Sequence, residues 1–244
     1  MSRLHREHIV EKIIYLVWRD PKVDLETFGK KLRGDLATQL RAIPSVRSLQ
    51  VNVADAAVAA GEAIKQTNSN PPLESVVQVW VDSAIAHLRE PVDAAIAANV
   101  GRYAAYLVTE SQPLRNLKHP PKIGERTEGF AQLALIRKPQ AQPYAEWIDV
   151  WHNSHTKVAI DTQSTFEYIQ NVVIRPLTAD APPLDAMVEE GFPIGALNDP
   201  YVFFDAVGNE EKFQSNLKIM MDSVFRFIDM TKIDVAPTSQ YKLI

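Results

Sequence analysis

The sequence predicts an α+β fold in which two β-α-β-β-α-β units pack sheet to sheet and close as one α/β barrel. Three observations carry that prediction. Short apolar runs alternate with amphipathic helical stretches along the whole chain. The order of elements restarts after residue 127. The first strand of each half also ends alike, in Trp18-Arg19-Asp20-Pro21 and in Ile136-Arg137-Lys138-Pro139.

In the first half, Lys12 to Trp18 (KIIYLVW) is a β-branched and aromatic run closed by a turn, and reads as a buried strand. Asp24 stands three residues before Thr27 as a helix cap, and Leu25, Phe28, Leu32, Leu36 and Leu40 then share one helical face. Ile43-Pro44 ends that helix, because a residue before proline is driven out of the helical region. Val46 to Val53 is the second strand. Residues 54–73, alanine-rich and then polar and proline-ended, read as an insertion carrying a short helix. Val76 to Val81 is the third strand, an alanine-rich helix runs from about Asp82 to Asn99, and Gly101 to Thr109 is the fourth strand.

Residues 111–127, with three prolines and several basic residues, read as a surface linker between unit 1–110 and unit 128–244. In the second unit, Phe130 to Ile136 is a strand and Tyr144 to Ile160 a helix with Trp147, Trp151 and His155 on one face. Phe166 to Ile174 and Met187 to Phe192 are strands, and Ile194 to Val207 is a loop with helical character. Glu210 to Phe225 is a helix, and Arg226 to Val235 reads as the last strand. The halves overlay with Leu32 on Trp151, Leu36 on His155 and Gln78 on Glu189. Each unit's sheet carries helices on one face, so its bare face needs another layer, and two units packed together leave a pocket between them.

Composition narrows the chemistry. Thirty acidic residues against 26 basic ones, with no basic stripe, speak against nucleic acid or an anionic membrane as partner. The chain has no cysteine, which removes disulfides, thiolate catalysis and cysteine-ligated metals. Met1 to Glu11 is polar, without the apolar stretch of a signal peptide, and no run reaches membrane-spanning length; the expectation is a cytoplasmic protein. Phosphate-binding glycine loops, dinucleotide fingerprints, hydrolase elbows and HExxH zinc motifs are all missing from the sequence. No cofactor is expected.

Trp151-x-x-x-His155, preceded by Tyr144 and Trp147, resembles the aromatic-x3-His segment of the EthD-like branch of the dimeric α/β-barrel superfamily, whose units are ferredoxin-like. Ala186 to Phe192 (AMVEEGF) resembles the acidic third strand of that family, with Glu189 at the acidic place, and Met221 to Asp229 resembles its closing segment. The resemblance covers about 128–244. Over 8–110 it is fainter, which makes the first unit a degenerate copy. It implies a fold and a pocket; members of the wider superfamily include polyketide cyclases, dehydratases and cofactor-free monooxygenases.

His155 is the leading catalytic candidate: an imidazole on an aromatic helix face titrates near neutrality and suits proton transfer on a carbonyl compound. A histidine hydrogen-bonded inside the core is the competing reading. Glu189 is the second candidate, orienting His155 or holding a substrate hydroxyl if strand alternation turns it to the pocket; a solvated edge carboxylate competes. Tyr144, Trp147, Trp151, Tyr201 and Phe204 are the candidate pocket walls, with 193–206 as a lid, although most aromatics in such a fold are core. His152 and His155 stand three apart but lack a third ligand, so no metal is expected. The expected partner is a hydrophobic small molecule, aromatic or polyketide-like. A homodimer is compatible with the fold, although tandem units supply their own partner. Three functions stay open: a His acid/base enzyme for cyclisation, tautomerisation or dehydration; a cofactor-independent monooxygenase; and a non-catalytic binding or accessory protein of an ether or aromatic degradation pathway.

Overall fold

Eight antiparallel strands close into one barrel in the order β1-β3-β2-β8-β5-β7-β6-β4. The computed structural model of the chain describes residues 10–244, so most of the polar start, Met1 to Glu11, lies outside the described residues. The strands are β1 (Glu11–Trp18), β2 (Val46–Val53), β3 (Ser75–Val81), β4 (Arg102–Leu114), β5 (Phe130–Ile136), β6 (Glu167–Pro176), β7 (Ala186–Phe192) and β8 (Asp234–Lys242). Within the first half the order is β4-β1-β3-β2, and within the second β8-β5-β7-β6. The halves meet along two seams, β2 on β8 and β4 on β6. These seams pair all the strand edges inside one chain.

Two elements differ from the sequence expectation. The final strand is Asp234–Lys242, not Arg226 to Val235. The apolar residues Phe227, Ile228 and Ile233 are buried, but in a turn over the second core, while β8 itself carries Thr238, Ser239 and Gln240. Its alternate residues enter a polar part of the barrel, so the strand lacks an apolar signature, and Pro237 argues further against it from sequence. β4 also runs on to Leu114, because Ser111 and Leu114 pair with Gln170 and Tyr168.

Helices cover the outside. Helix 25–41 starts where Asp24 accepts from the Thr27 amide at 2.9 Å and is interrupted by a π-helical turn, Leu32–Leu36. Helix 144–162 carries a π-helical turn in the corresponding place, Val150–His155. Helices Ala86–Asn99 and Glu210–Val224 complete the two layers, the latter capped by Asn209. In the first half the layer is tightly filled: Phe28, Leu32, Leu36, Leu40, Val92 and Ile96 are all buried against the sheet.

The barrel interior between the halves is filled by side chains except for a small hollow at one mouth. One end holds an apolar cluster that includes Ile14, Leu16, Val76, Leu133 and Met187. The other end holds a polar network around Glu189. The Glu189 carboxylate accepts from Gln50 and Asn52 at 2.8 Å, Gln78 at 2.8 Å and Gln240 at 2.9 Å. Lys12 pairs with Glu110, and both Lys12 and Lys242 lie over the Trp80 ring, at 4.5 and 4.2 Å. Burial lowers the affinity of Lys12 for its proton and raises the Glu167 pKa to about 7, helped by the neighbouring Glu189 charge.

Candidate active site

The second half differs from the first in being hollow between sheet and helices. A cavity of about 500 Å³ lies there, floored by outward residues of the sheet, such as Ala134, Tyr168 and Val188, and walled by His155, Met220 and Phe227. Its size falls within the range of roughly 300–1,000 Å³ found for small-molecule sites. The roof comes from two separate segments. One is 194–204, a 3₁₀ turn Ile194–Leu197 followed by helix Pro200–Phe203. The other is the first-half insertion, whose 3₁₀ helix Ala56–Ile64 brings Ala63, Ile64 and Gln66 to the rim. Gln66 is fixed there by a bridge to Val235 on β8, with the two backbone hydrogen bonds at 2.9 Å. Both halves therefore build this cavity.

His155 closes the π-helical turn and is 5% exposed. A π turn inserts an extra residue into the helical ladder and re-aims the side chains that follow, and such turns concentrate at functional sites. The imidazole packs on Phe227 at 4.4 Å between ring centroids. Its Nδ1 is 2.9 Å from Ser223 Oγ, and Nε2 has no partner among the described residues. Burial, with the Arg226 charge adding to it, pulls its pKa down to about 4, so the ring is neutral at pH 7. In the tautomer whose Nδ1–H donates to Ser223 Oγ, Nε2 carries the lone pair and can take a proton from the cavity.

Glu190 supplies the carboxyl group. It lines the same cavity, is 7% exposed, and is contacted by Gln132 Nε2 at 3.4 Å. With so little support for its charge, burial pushes its pKa up to about 7. Burial thus makes it a carboxyl group that keeps its proton far better than an exposed glutamate. Tyr168, whose hydroxyl accepts from Trp151 Nε1 at 3.3 Å, stands on the same floor, and burial raises its pKa as well.

The sequence candidates separate accordingly. His155 and Phe204 line the cavity. Trp147 and Trp151 are fully buried behind the wall, with ring centroids 5.3 Å apart; Trp147 donates to the Phe227 carbonyl at 2.9 Å and Trp151 holds Tyr168. Tyr144 is 57% exposed at the start of its helix. Tyr201 packs at a tilt against Phe213 and donates to Glu210 on the outside. Glu189 lies in the barrel interior, so the sheet separates it from His155. Adjacent residues of a strand point to opposite faces, and β7 turns Glu189 inward and Glu190 outward. The sequence signal for Glu190 is Gln132, its partner on β5 and a lone polar residue on the helix-facing side of Phe130–Ile136. Among the described residues, no group of three or more His, Cys, Asp or Glu side chains is placed to hold a metal ion.

No protein-family model matches the sequence, and no curated protein matches it. Solved structures do match in fold. An anthrone oxidase-like protein is 8% identical with a TM-score of 0.54, the match covering 98% of this chain and 92% of that one. A protein from Lactobacillus acidophilus described provisionally as a monooxygenase is 7% identical with a TM-score of 0.45, covering 96% of this chain and 95% of that one. One described provisionally as a chlorite dismutase is 10% identical with a TM-score of 0.45, covering 94% of each chain. These are dimeric α/β-barrel folds. At such identity the likeness is one of fold alone.

Proposed function

We propose that this chain is an enzyme of small-molecule metabolism that moves a proton on a hydrophobic, aromatic or polyketide-like carbonyl compound without a cofactor, using His155 and Glu190. The observation that carries the reading is their arrangement in one apolar cavity, an imidazole whose Nε2 has no partner among the described residues and a buried carboxyl group whose hold on its proton is strengthened by burial. In the reaction, His155 Nε2 removes a proton from the carbon next to the carbonyl, leaving the electron pair as an enolate. The Glu190 carboxyl group donates its proton to the enolate oxygen or to a second carbon. No net oxidation occurs, and the imidazolium returns its proton to Glu190. Acid/base chemistry needs a group that accepts a proton and a group that gives one up in the same site. Glu189 would act through the barrel network, outside the cavity.

The same reading takes the chain as two ferredoxin-like copies of an EthD-like unit, 1–110 and 128–244, joined through 111–127. The shared strand order and the π-helical turn at the same point of both first helices support it. Leu36 takes the His155 place in the first copy, whose layer is filled, so that copy supplies a roof segment in place of a second site. Because both seams close within the chain, a second molecule is not needed to complete the barrel.

The test requires no knowledge of the natural product. A bicyclic aromatic ketone such as 1-tetralone, incubated with the protein in heavy water, reports abstraction of its α-proton as deuterium uptake by mass spectrometry. The wild type is expected to accelerate uptake over buffer, by up to about 10²–10⁴-fold for a single positioned base. His155→Gln and Glu190→Gln should both lose most of it. Uptake at the buffer rate, or uptake indifferent to both substitutions in folded protein, removes the reading. Oxygen consumption measured in parallel separates an oxygenase from an isomerase.

A further inference from the structure

A second cavity, of about 220 Å³, lies at the apolar mouth of the barrel and belongs to neither the helix layer nor the polar network. Its inner wall is Leu16, Trp18, Leu73, Tyr106 and Leu135, all buried. Two proline-containing loops cover it, and each is tethered by an aromatic residue of that wall. Trp18 Nε1 donates to the Pro72 carbonyl at 2.7 Å, and the Tyr106 hydroxyl donates to the Pro182 carbonyl at 2.6 Å. Both rings thus have their polar atoms satisfied and offer the cavity only apolar surface. The sheet separates this space from His155 and Glu190, because Leu135 faces inward where Ala134 and Ile136 face the helices.

The rim is polar and carries both charges, with Asp234 and Lys232 beside Arg137. Asp234 Oδ1 already accepts from the Asn68 and Ser69 amides at 2.7 and 3.0 Å. Asp185 is taken by Arg137 Nε at 2.8 Å and by the Lys138 amide, and Asp229 by Lys232. That leaves both terminal nitrogens of Arg137 without a partner among the described residues, and Lys232 with N–H bonds to spare. A guanidinium with its fork free at the edge of an aromatic-walled hole matches a planar carboxylate on a ring.

We propose that the barrel mouth is a second binding site, for a monocyclic aromatic carboxylate, with the ring between Trp18 and Tyr106 and the carboxylate on the Arg137 fork. The volume lies below the roughly 300–1,000 Å³ of sites for larger ligands, which limits the occupant to about one ring. The site is independent of the reaction proposed for the helix-side cavity and stands or falls without it.

The probe is 4-fluorobenzoate, followed by ¹⁹F NMR line broadening on titration with the protein. The wild type is expected to bind it, and Arg137→Gln to weaken binding by about tenfold or more, since the charge-assisted fork is lost. Lys232→Gln should weaken it by a smaller factor. 4-Fluorobenzamide, of the same shape without the charge, should bind the wild type at least about tenfold less tightly. His155→Gln should leave the affinity unchanged. Circular dichroism checks that each variant is folded; if Arg137→Gln is not, Lys232→Gln and the amide comparison decide. Three results overturn the proposal: no broadening up to the solubility limit of the probe, equal binding of acid and amide, or binding lost in His155→Gln and kept in the rim variants.

Discussion

Replacing Glu190 by glutamine should make the protein more stable at pH 8 while removing its activity. The side chain is 7% exposed, its contact with Gln132 is 3.4 Å long, and its pKa is raised from 4.5 to about 7. Below pH 4.5 the carboxyl group is protonated in both the folded and unfolded chains and costs nothing. Between pH 4.5 and about 7 the unfolded chain gives up the proton and the folded chain keeps it, so stability falls as pH rises. Above about 7 both states are ionised and the full penalty is present. At about 1.4 kcal/mol for each tenfold step in proton affinity, the penalty comes to about 3 kcal/mol. Glutamine has the shape of the protonated acid and never pays it. Urea unfolding of wild type and Glu190→Gln at pH 4.5 and pH 8 reads the effect directly. The difference between the two proteins should shift by about 3 kcal/mol in favour of glutamine from the lower to the higher pH. A difference that is the same at both pH values refutes the argument, because the folded carboxyl group would then titrate as it does in the unfolded chain. A gain in stability together with a loss of deuterium uptake is the signature of a group held in place for chemistry against the preference of the fold.

Other substitutions test the surroundings. Glu189→Gln, one residue away, should have the opposite effect, destabilising by about 3 kcal/mol or more in urea unfolding, because its four amide donors then face an NH2 group and the Lys12–Lys242 end loses a counter-charge. His155→Gln should flatten the acid side of the stability profile. The wild-type ring binds its proton at about 4 when folded and near 6.5 when unfolded, so stability is lost as pH falls through that window, by about 3 kcal/mol in all. Gly61→Ala should push the two roof segments apart, since a Cβ there would stand 2.7 Å from both Leu197 and Pro237. Overpacking of this kind costs roughly 1–3 kcal/mol, and ligand binding in the helix-side cavity should weaken with it, whereas Gly34→Ala, with open space around it, should leave binding unchanged.

Much of the architecture was legible in the sequence because burial writes itself as periodicity. The apolar run Phe130–Ile136 coincides with β5, and the helix carrying Trp147, Trp151 and His155 starts at Tyr144, where its pattern begins. Legibility failed where the barrel interior is polar. Gln50, Asn52, Thr238 and Gln240 are buried in a network in which their donors bond one another, the backbone and the carboxylates of Glu189 and Glu167, and a sequence pattern in which polar means outside has no way to show that. For the same reason the sequence points to the apolar turn before β8 as the last strand. The register of β7 posed a related difficulty. All seven of its residues are buried, so alternation distinguishes two faces without saying which of them looks into the barrel. That decision rests on partner strands, with Leu133 opposite Glu189 and Gln132 opposite Glu190.

The asymmetry between the halves follows from what each first helix puts on the sheet. Leu32, Leu36 and Leu40 are compact, and with Val92 and Ile96 they fill the layer completely. Trp151 and His155 stand at the corresponding places of the second half, and their polar atoms need partners. Trp151 reaches Tyr168, His155 reaches Ser223, and both rings lean on Phe227. The cavity opens beside these rings, with His155 and Phe227 on its wall and Trp151 packed behind it. Closing that space requires a cover, and the short 3₁₀ helix Ala56–Ile64 of the first half reaches across to provide part of it. A filled half and a hollow half are thus complementary. One contributes stability and a roof segment, and the other is free to keep a neutral imidazole and a reluctant carboxylate in the same apolar space.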